Sequence, residues 1–205
     1  LGLASYIMQT QLPVYIDLAI PAVENAIAGN AFRPGDVITS RKGIAVEIDN
    51  TDAEGRLVMA DAITDLTTAS KPDLLIDFST LTGAARVALG TEVGVYFCND
   101  DALANQLQST ACDVEDDIWR LPLHSGYRHT LDSSIADLVN CASSGYGGAI
   151  TAALFLQEFF NQQCDWLHFD IMAYNMRARA GRPKGGEAMG LRALCEYLER
   201  KYRTA

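Results

Sequence analysis

Four short apolar runs along the chain are typical of buried β-strands. They span residues 14–20, 74–78, 93–98 and 166–172. Apolar and polar residues do not alternate strictly in these runs, which indicates strands covered on both faces. The sequence therefore predicts a sheet that is buried between other elements.

Segments with helical spacing separate these runs. Apolar residues recur at positions i, i+3, i+4 and i+7 from Met59 to Leu66 and from Leu191 to Leu198, and residues 149–160 are a third helix candidate. Residues 37–48 differ, because Arg41-Lys42-Gly43 is typical of the turn of a small β-hairpin. Strands that alternate with helices predict an α/β layered fold with a mostly parallel sheet. Neither a repeat nor a Pro/Gly-rich linker interrupts the sequence, so we expect one domain.

Composition narrows the class of protein. The chain has 205 residues, of which 49% are hydrophobic and 20% charged, so it can bury its own core and is too apolar to be disordered. No apolar run reaches the roughly 18 residues of a membrane helix, and no secretion signal is recognisable, so we expect a cytoplasmic protein with no membrane partner. The first residue is Leu1 instead of Met, which suggests an engineered start, a processed chain or a fragment.

Charge is distributed unevenly along the chain. The net charge of −10 argues against nucleic acid as a partner, because phosphate contacts need clustered Lys and Arg. Half of the 16 basic residues nevertheless follow Asn175. This basic tail is either a solvated helix face with a loop, or a subunit contact that meets an acidic stretch such as Asp113 to Asp117.

Cysteine and histidine give no evidence of a zinc site or a nucleophile. The five cysteines are far apart, without a CxxC pair, and their number and apolar neighbours predict reduced thiols in the cytosol. The three histidines lack the spacing of metal ligands. His168 lies in an apolar run, so we interpret it as a hydrogen-bonded histidine of the core or of a strand end.

Residues 50–57 carry the most informative side chains. Asp52 and Glu54 stand two residues apart beside Gly55, and Arg56 follows, just before an apolar helix. In a looped backbone two such carboxylates can point at one divalent cation, and Arg56 offers a planar fork to a carboxylate-like anion. The spacing leaves a second interpretation open, because acidic residues also stabilise the start of a helix, and Asn, Thr and Asp cap it.

Residues 145–148 (Gly-Tyr-Gly-Gly) precede a helix candidate, as a phosphate-binding loop does. The pattern is not GxGxxG, because Ile150 stands at its last position, and no GK[ST] follows. Nucleotide binding is therefore not expected. A GxSxG elbow is also absent, and Ser143 and Ser144 have no neighbouring base, which argues against serine hydrolysis.

The octapeptide NTDAEGRL at residues 50–57 resembles the hallmark sequence of the leucyl aminopeptidase (cytosol aminopeptidase) family. Further segments match the family in order, namely RPGD at 33–36, STLTGA at 79–84, WRLPL at 119–123, GAITAAL at 148–154 and GRP at 181–183. The resemblance therefore extends from about Leu12 to Tyr197. It implies a three-layer α/β/α fold with a mostly parallel, mixed sheet, and it places the loop at 145–148 near the catalytic cleft.

The resemblance also implies an activity and its cofactors. Members of the family are hexameric exopeptidases that release the N-terminal amino acid of a peptide with two divalent cations, zinc or manganese and in some cases magnesium. By resemblance, Asp52 is a metal ligand through its carboxylate and its main-chain carbonyl, and Glu54 bridges both metals. We therefore expect a peptide substrate and a homo-oligomer.

Four further residues receive roles from the resemblance alone. Arg56 is expected to hold a bicarbonate ion that relays the proton of the attacking water. Leu81 and Gly83 would flank this anion through backbone atoms, and Thr80 would lie beside the substrate backbone. Their structural interpretation is simpler, since Thr80 and the neighbouring Thr82 can cap a helix and Leu81 can belong to the core.

The chain also departs from the family. The family's metal site needs a lysine and two aspartates from a preceding segment, and a second lysine polarises the carbonyl, but no stretch here matches those segments. By resemblance, residues 1–205 are the C-terminal portion of the catalytic domain, and the N-terminal domain and the first part of the catalytic domain are absent. The sheet would then be incomplete on its N-terminal side. We expect the intact protein to be an aminopeptidase and this chain alone to be inactive.

Two points stay open in this interpretation. The alternative to an enzyme is a natural short relative without catalysis, which serves assembly or binding. The residue preference is a separate matter, because Met172 and Asn175 stand where the best-known members line the side-chain pocket with small residues and a methionine. A preference for leucine therefore cannot be transferred to this chain.

Overall fold

The structure of the protein is a computed structural model that describes residues 1–160 and 163–203. The helices are α1 (Gly2–Thr10), α2 (Glu54–Ser70), α3 (Gly83–Leu89), α4 (Asp101–Asp113), α5 (Gly148–Gln157) and α6 (Leu191–Tyr202), with a 3₁₀ helix at Ser125–Leu131. The strands are β1 (Val37–Thr39), β2 (Ala45–Glu47), β3 (Leu74–Ser79), β4 (Gly94–Cys98), β5 (Ile118–Arg120), β6 (Leu138–Val139), β7 (Asp165–Asp170), β8 (Tyr174–Asn175) and β9 (Gly185–Gly186).

The chain forms two compact units. The terminal unit comprises Leu1–Leu18, Ile76–Pro122 and Asp165–Ala205. The central unit comprises Ala19–Leu75 and Leu123–Cys164.

The terminal unit is built on a mixed sheet. Its strands have the order β3-β7-β4-β5, in which β4 pairs parallel with β5 and antiparallel with β7. Every residue of β4 is buried, as its continuous apolar sequence predicts. Helix α6 packs against α4 and α1 through an apolar face that includes Leu194, Tyr197 and Leu198.

The central unit contains a hairpin, a short parallel strand and two helices. β1 and β2 pair antiparallel, and the N–H of Gly43 closes their turn by donating to the carbonyl of Ser40 at 2.9 Å. Gly43 has a φ of 86°, which explains the glycine at this position. β6 pairs parallel with β2, and α2 packs against α5. Fully buried Phe155 and nearly fully buried Ile63 contribute to the core of this unit.

Most of the predicted elements are confirmed, and so is the α/β class. Strands occur at three of the predicted runs, as β3, β4 and β7. The three predicted helices are found as α2, α5 and α6, and the predicted hairpin is found as β1 and β2. The prediction of a strand at residues 14–20 is wrong, because this stretch has no regular secondary structure and Tyr15 is 86% exposed. A strand needs a neighbouring strand to satisfy its backbone groups, and no strand of the described residues pairs with this run. None of the described helices is both long and apolar enough to span a membrane.

The basic tail contacts the acidic stretch within the same chain. Arg200 forms an ion pair with Asp113 at 2.7 Å, and Arg182 and Arg192 donate hydrogen bonds to the main-chain carbonyl of Glu115 at 2.8 and 2.7 Å. The charge complementarity seen in the sequence is therefore satisfied inside the terminal unit. The side chains of Arg200 and Asp113 stay about half exposed, so their ion pair adds little stability. A contact between subunits through this tail stays a prediction.

Candidate functional site

The turn at residues 50–53 leads directly into α2. The N–H of Asp52 donates to Oδ1 of Asn50 at 2.9 Å, and the N–H of Ala53 donates to the main-chain carbonyl of Asn50 at 3.2 Å. This is the local side-chain to backbone bonding with which Asn stabilises turns. Asp52 is exposed, Glu54 is the first helical residue, and Arg56 lies in the first turn with 8% of its surface exposed.

The capping interpretation of this segment is only partly right. The residue that caps α2 is Ala53, which makes no side-chain capping bond, so neither Thr51 nor Asp52 performs that role. Glu54 lies in the first turn, where its charge interacts favourably with the helix dipole. The exposed carboxylate of Asp52 therefore has no local structural role among the described hydrogen bonds of the turn.

Glu54 fits a ligand of a cation. Its Oε2 atom is buried and has no hydrogen-bond partner among the described residues. Burial of a polar oxygen without a partner is costly, so such an atom calls for an explanation. A divalent cation that prefers oxygen ligands supplies one.

The described residues do not complete a metal site. No group of three or more His, Cys, Asp or Glu side chains in residues 1–160 and 163–203 converges on one point. Divalent cations in proteins take more ligands than two carboxylates provide. Asp52 and Glu54 therefore fit a cation as part of a ligand set that requires further donors.

Residues 79–83 connect β3 to α3 in the terminal unit. Thr82 caps α3, since its Oγ1 accepts from the N–H of Ala85 at 3.1 Å. The capping role foreseen for this segment is thus confirmed for Thr82. Thr80 and Gly83 are exposed and Leu81 is half-buried. An added Cβ at Gly83 would meet only the Arg86 guanidinium, at 3.7 Å, so packing does not demand glycine there.

Two buried polar residues organise these segments, and sequence reasoning missed both. Asn140 has no exposed surface and bonds to the turn before α2, with Oδ1 accepting from the N–H of Asp49 at 2.9 Å. Asp170 is 1% exposed and accepts from the N–H of Leu81 at 2.9 Å and from Oγ1 of Thr82 at 2.6 Å. In the sequence, Asn140 and Asp170 are each visible only as a single polar residue at the end of an apolar strand.

The predicted site residues therefore fall into two groups. Asp52, Glu54 and Arg56 lie in the central unit on one turn and the first turn of a helix. The other group, which lies in the terminal unit around the start of α3, consists of Thr80, Leu81 and Gly83. The N–H of Leu81 is already used by Asp170, so an anion near Leu81 would have to use other backbone atoms.

The remaining candidates have structural roles. His168 is fully buried and stacks with the rings of Phe97 and Trp166, and its Nδ1 lies 2.5 Å from Oδ1 of Asp77. This confirms the hydrogen-bonded core histidine. Gly147 has a φ of 67° and caps α5, which accounts for a glycine before this helix.

Two of the thiols are poorly suited to act as nucleophiles. All five cysteines are free, and burial raises the pKa of Cys98 and raises that of Cys195 to about 11. Thiols with raised pKa values are poor nucleophiles at neutral pH.

The amide of Asn175 donates to the carbonyl of Pro183 and to Glu187, at 3.2 and 2.5 Å. Asn175 therefore holds its own loop together.

Comparison with known proteins finds one family that matches most of the chain. Residues 1–195 match the model of the cytosol aminopeptidase family, catalytic domain. A probable cytosol aminopeptidase of Chlorobium luteolum is 47% identical over 190 residues, which are 92% of this chain and 37% of that protein. The crystal structure of cytosol aminopeptidase from Coxiella burnetii has a TM-score of 0.94 and 54% identity, and the match covers 98% of this chain and 44% of that one.

A metal-containing structure is also similar. The bottromycin maturation enzyme BotP in complex with Mn has a TM-score of 0.76 and 41% identity, covering 84% of this chain and 39% of that chain. The present chain thus spans less than half the length of each of these three relatives.

Proposed function

Because the chain belongs to the cytosol aminopeptidase family, we propose that it works in a metal-dependent aminopeptidase that releases N-terminal amino acids from peptides in the cytosol. The observation that carries this proposal is the start of α2. There an exposed Asp52 and a buried, unpartnered Oε2 of Glu54 lie within one turn of a buried Arg56. This arrangement brings two carboxylates and one guanidinium together at the start of one helix.

Asp52 and Glu54 would hold divalent cations, and manganese or zinc suits such donors, with magnesium as a further candidate. The cations, when bound, supply a water of lowered pKa and polarise the scissile carbonyl. Both carboxylates are placed by the backbone, since Asp52 follows the Asn50 turn and Glu54 starts α2. This placement reduces the reorganisation that binding would otherwise require.

Arg56 and the segment before α3 would act on anions and substrate. The guanidinium of Arg56 is mostly buried, which strengthens its attraction for a planar anion such as bicarbonate and presents its donors in a fixed fork. A bicarbonate held there is a suitable acceptor for the proton of the attacking water. The exposed hydroxyl of Thr80 is available to the backbone of a peptide.

One observation favours a second candidate, a non-catalytic relative that serves assembly or binding. Within the described residues the chain offers only part of a metal-ligand set. We therefore expect the 205-residue chain by itself to show no peptidase turnover, and we propose that activity requires further donors. Assembly as a hexamer, which the family resemblance suggests, belongs to the same proposal.

Weak metal binding by the chain can be measured without activity. Mn²⁺ would be titrated into the ¹⁵N-labelled chain, and the paramagnetic broadening of the amide signals of residues 50–56 would be followed. We expect selective broadening that Asp52→Asn and Glu54→Gln each strongly reduce, because each change removes a carboxylate ligand. Asp65→Asn is the matched control, because Asp65 also lies on α2 but forms an exposed ion pair with Arg41.

Turnover is tested on the same samples with amino-acid anilides and added Mn²⁺ or Zn²⁺. Clear hydrolysis by the isolated chain would overturn the requirement for further donors. Broadening that is equal in the wild type, Asp52→Asn and Glu54→Gln would overturn the ligand role of these two carboxylates. No broadening near residues 50–56 would favour the non-catalytic relative.

A further inference from the structure

Asn140 lies at the carboxyl end of the parallel strand β6 in the central unit. It directly follows β6, which pairs parallel with β2, and its N–H extends this ladder by donating to the carbonyl of Glu47 at 2.9 Å. The carboxyl ends of parallel strands meet at the same edge of a sheet, and this edge is where ligands bind in α/β folds. The turn that leads to Asp52 leaves β2 at this edge.

The side chain of Asn140 bonds to both ends of that turn. Its Oδ1 accepts from the N–H of Asp49 at 2.9 Å and from the N–H of Asn50 at 3.2 Å. Its Nδ2 donates to the carbonyl of Asn50 at 2.7 Å and to that of Ala53 at 3.4 Å. An amide group has two donor hydrogens and two acceptor lone pairs, so all of its capacity is used.

The amide of Asn140 meets the requirements of this turn. The turn presents N–H groups and carbonyls to one fully buried side chain, which must therefore donate and accept at once. Aspartate would place a carboxylate oxygen against two carbonyl oxygens, and alanine would leave four backbone groups without this partner. The bonded residues Asn50 and Ala53 enclose Asp52, and Glu54 follows next, so the same bonds fix the path on which both carboxylates stand.

We propose that Asn140 is a positioning residue that holds the turn at residues 49–53 in the conformation that presents Asp52 and Glu54 to a cation. The ligand role of these two carboxylates rests on the function proposed above, whereas the restraint of the turn rests on the hydrogen bonds alone. Asn140 itself touches neither cation nor substrate. It acts across 87 to 91 residues of sequence by fixing backbone groups.

The test compares the 205-residue wild type with Asn140→Ala and Asn140→Asp. Thr64→Ala is the matched control, because Thr64 is a buried residue of the same unit whose hydroxyl bonds to carbonyls outside the turn, those of Ala60 and Phe159. Three quantities are measured for each variant, namely the midpoint of thermal unfolding, amide hydrogen exchange at residues 49–53 and the Mn²⁺ affinity from paramagnetic broadening.

Both Asn140 variants are expected to exchange faster at residues 49–53 and to bind Mn²⁺ about tenfold more weakly, which is the lower end of effects for residues that orient metal ligands. Thr64→Ala is expected to lower the unfolding midpoint while leaving the Mn²⁺ affinity unchanged. This difference separates positioning from general destabilisation. Asn140→Asp keeps the size of the side chain, so it serves if Asn140→Ala does not fold.

The proposal is wrong if the Asn140 variants bind Mn²⁺ as tightly as the wild type does. It is also wrong if Thr64→Ala, compared at a matched unfolding midpoint, loses as much Mn²⁺ affinity as the Asn140 variants do. The function proposed above fails in a different way, when Asp52→Asn leaves Mn²⁺ binding unchanged or the wild type binds none. In that case amide exchange still tests whether Asn140 restrains the turn at residues 49–53. Slow exchange retained at residues 49–53 in Asn140→Ala would overturn the restraint of the turn as well.

Discussion

Two segments of this chain, one in each unit, are held by a buried polar side chain, and the two side chains differ in kind. The turn before α2 is held by the neutral amide of Asn140, which donates and accepts. The segment before α3 is held by the carboxylate of Asp170, which only accepts, from the N–H groups of Leu81 and Thr82 and from the Thr82 hydroxyl. The backbone explains the difference.

A helix start presents N–H groups, whereas a turn presents both N–H groups and carbonyls. An acceptor with two oxygens suits the first case, and a carboxylate there also interacts favourably with the helix dipole. An amide suits the second case because a carboxylate would repel the carbonyls of Asn50 and Ala53. The comparison therefore predicts which substitutions each segment tolerates.

The largest effect is expected for Asp170→Ala. The change leaves a half-buried and a buried N–H group and the buried Thr82 hydroxyl without their charged acceptor, so we expect a loss of about 4 kcal/mol in the free energy of unfolding. Urea unfolding measures it. Asp101→Ala is the control, because Asp101 is an exposed partner of Arg120 in the same unit and its removal should change little. A loss below about 1 kcal/mol for Asp170→Ala would contradict the role of the carboxylate.

Asn140→Asp is expected to come next, with a loss of about 3 kcal/mol. The shape of the side chain is kept, but a buried carboxylate oxygen replaces the donor that faces two carbonyls. Urea unfolding of Asn140→Asp beside Asn140→Ala separates the two causes. If the aspartate variant were more stable than the alanine variant, electrostatic repulsion in the turn would not be the reason for an amide there.

The reciprocal change, Asp170→Asn, should be milder, at about 2 kcal/mol. Its amide oxygen can still accept from the N–H groups of Leu81 and Thr82, and its NH₂ group can donate to Oγ1 of Thr82, so the loss is mainly that of the charge. Urea unfolding of both reciprocal variants on one day gives the ranking. A larger loss for Asp170→Asn than for Asn140→Asp would reverse the comparison of the two segments.

Sequence patterns predicted the elements well where local signals suffice. The apolar spacing from Leu191 to Leu198 predicts α6, and Arg41-Lys42-Gly43 predicts the hairpin turn, because each signal is contained in a few consecutive residues. The prediction of a strand at residues 14–20 is wrong for a related reason. The apolar character of this run indicates burial, but pairing in a sheet depends on distant strands that the run itself does not encode.

The candidate site shows the same limit. Asp52, Glu54 and Arg56 stand in one short motif, so sequence resemblance identifies them together, and their roles stay predictions. Asn140 and Asp170 bond to groups that are 87 to 91 residues away in the sequence, and neither has a periodic or spaced pattern around it. Only the folded structure shows which distant segment each of these two polar residues bonds to.

The smallest effect concerns the cap that links Asp170 to α3. Oγ1 of Thr82 accepts from the N–H of Ala85 while its hydroxyl donates to Asp170, so Thr82→Val removes both the capping bond and the bond to Asp170 and keeps the shape. We expect a loss of about 1.5 kcal/mol in the free energy of unfolding, and Thr82→Ser should retain most of the stability because it keeps the hydroxyl. Urea unfolding of the two variants measures this. A larger loss for Thr82→Ser than for Thr82→Val would mean that the methyl group, more than the hydroxyl, stabilises the segment, and the cap would then be incidental to how Asp170 holds it.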